Sequence, residues 1–225
     1  MRRACGTGTL AARAAPVTRT DEQVERWSRA ALVANRRLIE DLELWCDRSL
    51  GTGQGQTFAS GAPAVGQEQI HVALRFELMD GALVGQGAWL IPWPEAARLV
   101  GWFEGGGAKR CAELLEAPAP DATAKVTLLE VGGVVAAAVE ASLSDLGLVG
   151  AVCVPAGCQG VSPGSRVNLE FEPGSVLWVH RETAEWAEGE RFSSHLMIPE
   201  LVQHESEEPA DGDSSGHPAE NNSGL

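Results

Sequence analysis

The stretch Leu128–Leu148 reads LLEVGGVVAAAVEASLSDLGL and has the length and apolar content of a long buried helix. Two adjacent glycines, Gly132 and Gly133, interrupt its first third, just after the lone acid Glu130. Each glycine inside a helix costs about 1 kcal/mol relative to alanine. The pair therefore needs a reason, and we expect Gly132 to permit close approach of another helix or of a docked partner.

Earlier in the chain, one long helix or two abutting helices are predicted over about residues 21–50; we call this the first helix. Thr20 and Gln23 have the capping-box pattern at its start, apolar residues follow at helical spacing, and Gly51 supplies a stop. The two predicted helices share a similar length and each is followed by strand-like sequence.

Period-two alternation of apolar residues predicts these strands. After the first helix we expect a loop over 51–66 with a short strand near 57–59, then a hairpin over 70–92 and a short helix from Pro94 to about Phe103. Residues between that short helix and the long helix that contains Glu130 are predicted to form a connector. Four strand-like runs then follow, namely GAVCVP, RVNLEFEP, SVLWVHRET and RFSSHLMIP.

The shared order of elements predicts an α+β fold made of a pseudo-twofold duplicated unit, with two long helices packed on an antiparallel β-sheet. We assign a flexible leader to 1–19 and a single domain to 20–203, with half-repeats over about 20–110 and 120–203. Residues 204–225 are acidic and nearly free of apolar side chains, which predicts a disordered tail.

The formal net charge of −14 is unevenly spread along the chain. Residues 1–19 hold four arginines and no acid, whereas 204–225 hold six acids and no lysine or arginine, so the part between them is itself acidic. An acidic body argues against nucleic acid and anionic membrane surfaces as partners. A basic protein face suits it better.

Location and metal content are predicted from what the sequence contains. The five cysteines form no C-x-x-C pair, and no His, Cys, Asp and Glu cluster has metal-ligand spacing, so we expect reduced thiols, no metal site and no cofactor. Arg13 breaks the short apolar run near the start, and no run of 18 apolar residues occurs. We therefore expect a cytoplasmic protein without membrane insertion.

The segment Glu130–Gly133, followed by an apolar helix ending S-D-L-G-L and then by Pro155, resembles the signature of the CheC/CheX/FliY chemotaxis phosphatases. Their helix reads E-I-G-N-I, with Asp or Ser four residues before the glutamate and a proline 23 residues after the asparagine. Glu130 and Gly132 match this pattern directly, and Pro155 lies one residue short of the family spacing. The shared order of helices and strands covers residues 21–200.

The resemblance implies a specific chemistry. Family members dephosphorylate the aspartyl phosphate of a CheY-type receiver domain, which supplies its own Mg²⁺. The helix glutamate pairs with a lysine of the receiver, and the asparagine amide orients the attacking water. Phosphoryl transfer asks the protein mainly to position groups and match charge. CheC proteins also bind CheD. The resemblance thus gives Glu130, Gly132, Gly133 and Pro155 as partner-binding residues, with Glu130 as the catalytic candidate.

The sequence departs from this family where the chemistry depends on it most. Gly133 stands in place of the asparagine and has no amide to hold a water, and Val126 stands in place of the upstream Asp or Ser. A lone glutamate can dock on a lysine without catalysing hydrolysis. The resemblance therefore implies a degenerate member.

A duplicated unit would place a second copy of the motif in the first helix. Aligning Gly51 with Gly147 places Ala34 opposite Glu130 and Arg37 opposite Gly133, which erases the first centre. Another register offers a set of polar side chains on the first helix, and two further residues are possible water-positioning groups. The register uses Asp21, Glu25 and Ser28, and the further residues are Asn35 and Gln23.

Three functions follow from these observations. The first is a CheC-like signalling protein that binds a CheY-type receiver or a CheD-like partner with weak or no phosphatase activity. The second is an active aspartyl-phosphate phosphatase that uses a substitute water-positioning residue. The third is an interaction domain unrelated to chemotaxis. Two tryptophans near loops, Trp93 and Trp186, are candidates for exposed binding contacts.

Overall fold

The computed structural model describes residues 19–201 except 118, 149, 171–174, 187–188 and 190, and of Thr52 only the backbone. The predicted leader up to residue 18 and the predicted tail over 204–225 lie outside the described residues. The helices are α1 (Asp21–Cys46), α2 (Trp93–Phe103), α3 (Gly107–Glu116) and α4 (Ala122–Asp145). The strands are β1 (Leu50–Ser60), β2 (His71–Asp80), β3 (Leu83–Pro92), β4 (Val152–Val161), β5 (Leu177–Trp186) and β6 (Arg191–Pro199).

The order of strands in the sheet confirms the predicted duplication. The described strands form one antiparallel sheet in the order β1-β5-β6-β3-β2-β4. Exchanging β1 with β4, β2 with β5 and β3 with β6 reverses this order onto itself. The two halves meet where β3 pairs with β6, around the Trp89 and Leu196 pair. The chain therefore repeats one helix-and-three-strand unit, with α2 and α3 inserted between the copies.

The helices cover one face of the sheet. Alternate residues of the central strands point at α1, α2 and α4 and form the main apolar core, which includes Phe76, Trp89 and Leu196. The opposite face carries a smaller cluster, in which Val167 and Leu169 from the β4–β5 connection pack on strand residues such as Leu90. The predicted α+β architecture with two long helices on an antiparallel sheet is confirmed.

Local sequence explains the ends of the elements. Thr20 Oγ1 accepts from the Gln23 amide while the Gln23 side chain accepts from the Thr20 amide, so the predicted capping box starts α1. Gly81, at φ 59°, supplies the left-handed turn between β2 and β3. Arg19, which composition placed in the leader, makes an ion pair with Glu200 at 2.7 Å (Nε to Oε2).

Three local predictions are corrected by the structure. The expected loop over 51–66 is largely the long strand β1. The expected connector after α2 contains a third helix, α3. The described part of the run RVNLEFEP, residues 166–170, forms no named strand, and its Arg166 forms an isolated bridge with Val65.

Helix α4 is long and apolar enough, by length and composition alone, to cross a membrane, with a mean hydropathy of 1.7 over its best window. Most of that window is buried inside the fold. Its buried side chains, among them Val131, Val135 and Leu143, belong to the main core. These are the properties of a central core helix.

Candidate functional site

The N-terminal end of α4 is held by a network of charged side chains. Asp121 caps the helix by accepting from the Ala124 amide at 2.8 Å. Arg110 of α3 binds both Asp121 (2.7 Å) and Glu104 (2.6 Å), and Thr127 Oγ1 donates to Glu104 at 3.1 Å. The Ala124 amide and then Arg110 lower the pKa of Asp121. These contacts hold the N-terminal end of α4 in place, and with it the outer face of the helix.

Glu130 lies on that outer face and is exposed. Its carboxylate makes no hydrogen bond or ion pair with any described residue. Val126, one turn before it, and Leu129, the preceding residue, are 55% and 45% exposed. An unpaired carboxylate beside exposed apolar side chains can accept a cationic group from another molecule while the apolar groups supply buried area.

The two glycines of α4 differ in burial but share one property. Gly132 is buried and Gly133 is partly buried. A Cβ built on either one meets no other atom within 4 Å, apart from the local helix backbone. The expectation that Gly132 permits close helix–helix approach is therefore wrong, and approach by a docked partner stays a prediction.

The surface of α4 near Glu130 offers no group to position a water. Over residues 126–134 the only other polar side chain is Thr127, which is 5% exposed and already bound to Glu104. Gly133, one turn after Glu130, has no side chain. The site has an exposed carboxylate without the amide that the resemblance requires.

Pro155 lies on the exposed side of β4, the strand that follows α4 and packs against it. It stands opposite Phe76 of β2, where the pairing register shifts between Arg75 and Phe76. Because β4 is an edge strand of the described sheet, it accommodates a proline, which has no backbone N–H to donate to a neighbouring strand. The role of Pro155 in binding stays a prediction.

The buried positions of the two long helices identify the counterpart of Glu130 in α1. Every buried residue of α1 matches a buried residue of α4 at a shift of 97 residues, as Trp27 matches Ala124 and Cys46 matches Leu143. This shift places Val33 opposite Glu130 and Arg36 opposite Gly133. The first centre therefore has neither carboxylate nor amide.

The sequence alignment of the helices, which used Ala34 and Arg37, is displaced by one residue. The displacement arises because the alignment takes Gly51 as the end of the first helix, whereas Gly51 lies inside β1. Its conclusion is unchanged, because neither register restores the motif in α1.

The structure brings the other α1 candidates together in a different place. Asp21, Glu25 and Ser28 line one groove with Thr57 of β1. Gln23 is engaged in the capping box. These side chains lie in the N-terminal half of α1. The α4 residue that matches this part of α1 by burial precedes Glu130, so the groove is not the counterpart of the Glu130 site.

Asn35 has a structural position. It is 1% exposed, and its Nδ2 donates to Glu182 of β5, itself 7% exposed. His180 Nε2 lies 3.7 Å from Glu182, and His180 Nδ1 is hydrogen-bonded to Thr57 at 2.8 Å. Asn35 therefore joins α1 to the sheet and does not reach a water at the surface.

The prediction that Trp186 is an exposed binding residue is wrong. Trp186 is 1% exposed, packs edge-on against Trp102 at 4.4 Å between ring centroids, and donates its indole N–H to the buried Glu95. Trp93 is partly buried against the core. Among the described residues, no group of three or more His, Cys, Asp and Glu side chains is placed to hold a metal ion.

Comparison with solved structures identifies the class of fold. FliY from Thermotoga maritima superposes with a TM-score of 0.58 at 14% identity, covering 81% of this chain and 92% of that one. CheX from Desulfovibrio desulfuricans gives 0.50 at 13% identity, covering 76% and 99%. FliM in the FliG–FliM complex from H. pylori gives 0.52 at 11% identity, covering 80% and 94%.

The chain thus has the fold of the CheC/CheX/FliY-type chemotaxis proteins, as the resemblance of its α4 segment implied. No protein-family model matches the sequence. No curated protein matches it either. The likeness therefore lies in the fold, and the residues of the site carry any statement about activity.

Proposed function

We propose that this protein is a CheC-like signalling component of a chemotaxis or two-component system. It binds a CheY-type receiver domain, or a related partner such as a CheD-like protein, and has weak or no phosphatase activity. The observation that carries the proposal is the exposed, unpaired Glu130 beside Gly133 on the outer face of α4.

Binding is supported by the chemistry of that face. A lysine from a receiver would pair with Glu130, and the neighbouring Val126 and Leu129 would bury apolar area around the pair, which strengthens it by excluding water. The open space at the partly buried Gly133 lets a partner's backbone approach α4 closely. The acidic body also favours a partner with a basic face.

Weak catalysis follows from the missing amide. Hydrolysis of an aspartyl phosphate needs a water placed in line with the phosphorus atom, and misplacement by about 1 Å can reduce a rate about a hundredfold. Glycine at position 133 cannot orient that water, and no other side chain on α4 replaces it. Mg²⁺ would come from the receiver.

A docking role without catalysis suits other features of the fold. FliM, which superposes on this chain, was crystallised as a complex with FliG. The α1 counterpart of the site carries Val33 and Arg36, so it offers no second catalytic centre. We infer that protein binding is what the domain retains.

Binding can be tested by titrating the full chain with CheY-type receivers and CheD-like proteins from the same genome. We expect Glu130→Ala and Leu129→Asp each to weaken binding about tenfold, that is by about 1.4 kcal/mol. Leu44→Asp is the matched control, since Leu44 is 79% exposed on α1, and it should change nothing. Absence of binding to every such protein would overturn the proposal.

Catalysis is tested separately with a phosphorylated receiver. We expect its phosphate to decay at nearly the same rate with this protein as in buffer. Gly133→Asn should accelerate decay at least about tenfold by restoring the amide, and adding Glu130→Ala should remove that gain. Rapid decay with the unaltered protein would instead establish an active phosphatase.

A further inference from the structure

A groove runs along the N-terminal half of α1 where that helix lies beside β1. Its volume is about 620 Å³. Val24, Ser28 and Leu32 form one wall at helical spacing, and Thr57 lies on the other wall. Val24 and Leu32 are 41% and 43% exposed, so the groove presents apolar surface to solvent. We call it the α1–β1 groove.

The strand beside this groove has a free edge. β1 ends the order of strands and pairs only with β5 in the described part of the chain. Its sequence, LGTGQGQTFAS, contains no charged residue and no proline. The equivalent edge strand β4 carries Pro155 and a register shift. Proline and bulges protect sheet edges from further pairing. The pairing of β1 also has a register shift, between Thr52 and Gly55, but the part of β1 from Gly55 to Ser60 has neither a shift nor a proline.

The chain enters the fold beside this groove. Arg19 is fixed by Glu200, whose carboxylate also accepts from the Trp178 indole at 3.0 Å. Trp178 pairs with Ala59 near the end of β1. Asp21, two residues after Arg19, lines the groove itself. Residues 1–18 are joined to Asp21 through only Arg19 and Thr20, and such a short connection gives an effective concentration on the order of millimolar.

Charge also favours residues 1–18 over the other end of the chain. They contain Arg2, Arg3 and Arg13 and no acid. The groove contributes two carboxylates and one guanidinium, from Asp21, Glu25 and Arg29. Residues 202–225, with six acids and no lysine or arginine, would be repelled by the same groove.

We propose that residues 1–18 of this chain occupy the α1–β1 groove and pair with the free edge of β1. Addition of an extended segment to a sheet edge is a common mode of peptide recognition. The segment satisfies edge amides of β1, covers Val24 and Leu32, and places arginine near Asp21 and Glu25. The groove is then an internal docking site that a competing peptide can open.

Hydrogen exchange of the β1 amides tests this proposal. The full chain is compared with a chain that begins at Arg19, which keeps the Arg19–Glu200 ion pair and every described helix and strand. Amides within 50–60 should exchange about tenfold more slowly in the full chain, while those of β4 should not differ. Added peptide 1–18 should restore the protection.

A substitution in the groove gives a second test with the leader intact. Leu32→Asp with Glu25→Arg in the full chain should abolish the extra protection, whereas Leu44→Asp, elsewhere on α1, should preserve it. Equal exchange in the full and shortened chains would overturn the proposal. Protection that rises with protein concentration and survives the shortening would also overturn it, since a second copy would then cover β1.

Discussion

Glu43 and Glu140 occupy equivalent positions near the ends of α1 and α4, separated by the same 97 residues that relate the buried faces of these helices. Glu43 Oε1 accepts from the Leu50 amide at 2.6 Å, and Glu140 Oε2 accepts from the Cys153 amide at 2.8 Å. Each carboxylate thus fixes the start of the strand that follows its helix. The two copies of the unit share this connection although their sequences differ.

Removing either carboxylate should weaken the fold. Glu43→Ala and Glu140→Ala each leave a strand amide without its acceptor, so we expect a loss of about 1–2 kcal/mol in the free energy of unfolding. Urea denaturation measures it. Glu40→Ala is the control for α1, since Glu40 is exposed and bonded to no described residue. A loss no larger than that of the control would contradict the assigned role.

The glycines of α4 should be replaceable at no structural cost. Because a Cβ at Gly132 or Gly133 meets no other atom within 4 Å, Gly132→Ala and Gly133→Ala should each raise the free energy of unfolding by about 0.5–1 kcal/mol. Gly101→Ala in α2 is the opposite case, since its Cβ would lie 2.7 Å from the Gly107 carbonyl oxygen. That substitution should destabilise the protein.

Acid should destabilise the fold through His195. Burial, and then the charges of Arg181 and His71, lower the pKa of His195 to about 4 from an ordinary value of 6.5. Between these values the unfolded chain binds the extra proton and the folded one does not. The stabilisation is therefore complete above pH 6.5 and is lost as the pH falls to about 4, by about 3 kcal/mol.

The measurement for this effect is urea denaturation at several pH values between 7.5 and 4. Carboxylates also titrate in the lower part of that range, so the difference between the unaltered protein and His195→Leu isolates the histidine. The slope of stability against pH should be shallower in the variant. Identical slopes would show that His195 accepts its proton normally in the folded state.

Asn35 should prove structural. Asn35→Ala removes the amide that donates to the buried Glu182, so we expect a loss of about 1–3 kcal/mol in stability. Receiver binding through Glu130 should be unchanged. Arg36→Ala, at the adjacent exposed position, should leave stability within about 0.5 kcal/mol. Reduced receiver affinity in a folded Asn35→Ala protein would contradict the assignment.

Sequence patterns predict the elements whose burial is periodic. The buried faces of α1 and α4 carry apolar residues at helical spacing, and those of β2 that enter the main core alternate along the strand. The sequence of β1 lacks the strand pattern because glycines, Gly53 and Gly55, stand where alternating apolar residues would be expected. A Cβ at Gly55 would lie 2.6 Å from the His180 ring, so packing requires glycine where a strand pattern would show an apolar residue.

Two other errors also have physical causes. α3 buries only Cys111 and Leu114, so its apolar pattern is too short to predict a helix. Val167 and Leu169 alternate as in a strand, yet they pack over the outer face of the sheet, and the amides of Asn168 and Glu170 donate to the side chains of Gln159 and Gln86.

The candidate site was predicted only where the sequence carries the motif. Glu130 and the missing amide at Gly133 could be read directly from the α4 segment. The positions of the α1 candidates could not be predicted from the sequence, because the contact of Asn35 with Glu182 joins residues far apart in the chain. The register between the helices likewise required the buried faces seen in the structure.

The interleaving of strands in the sheet bears on how this chain emerges from the ribosome. β1 and β5 are neighbours in space, yet more than a hundred residues of translation separate them. Until β5 is synthesised, β1 lacks the strand with which it pairs in the described sheet, and the β2–β3 hairpin lacks the strand β4 that flanks it. Neither half can complete its own sheet, so the nascent first half depends on protection from aggregation until nearly the whole domain has been made.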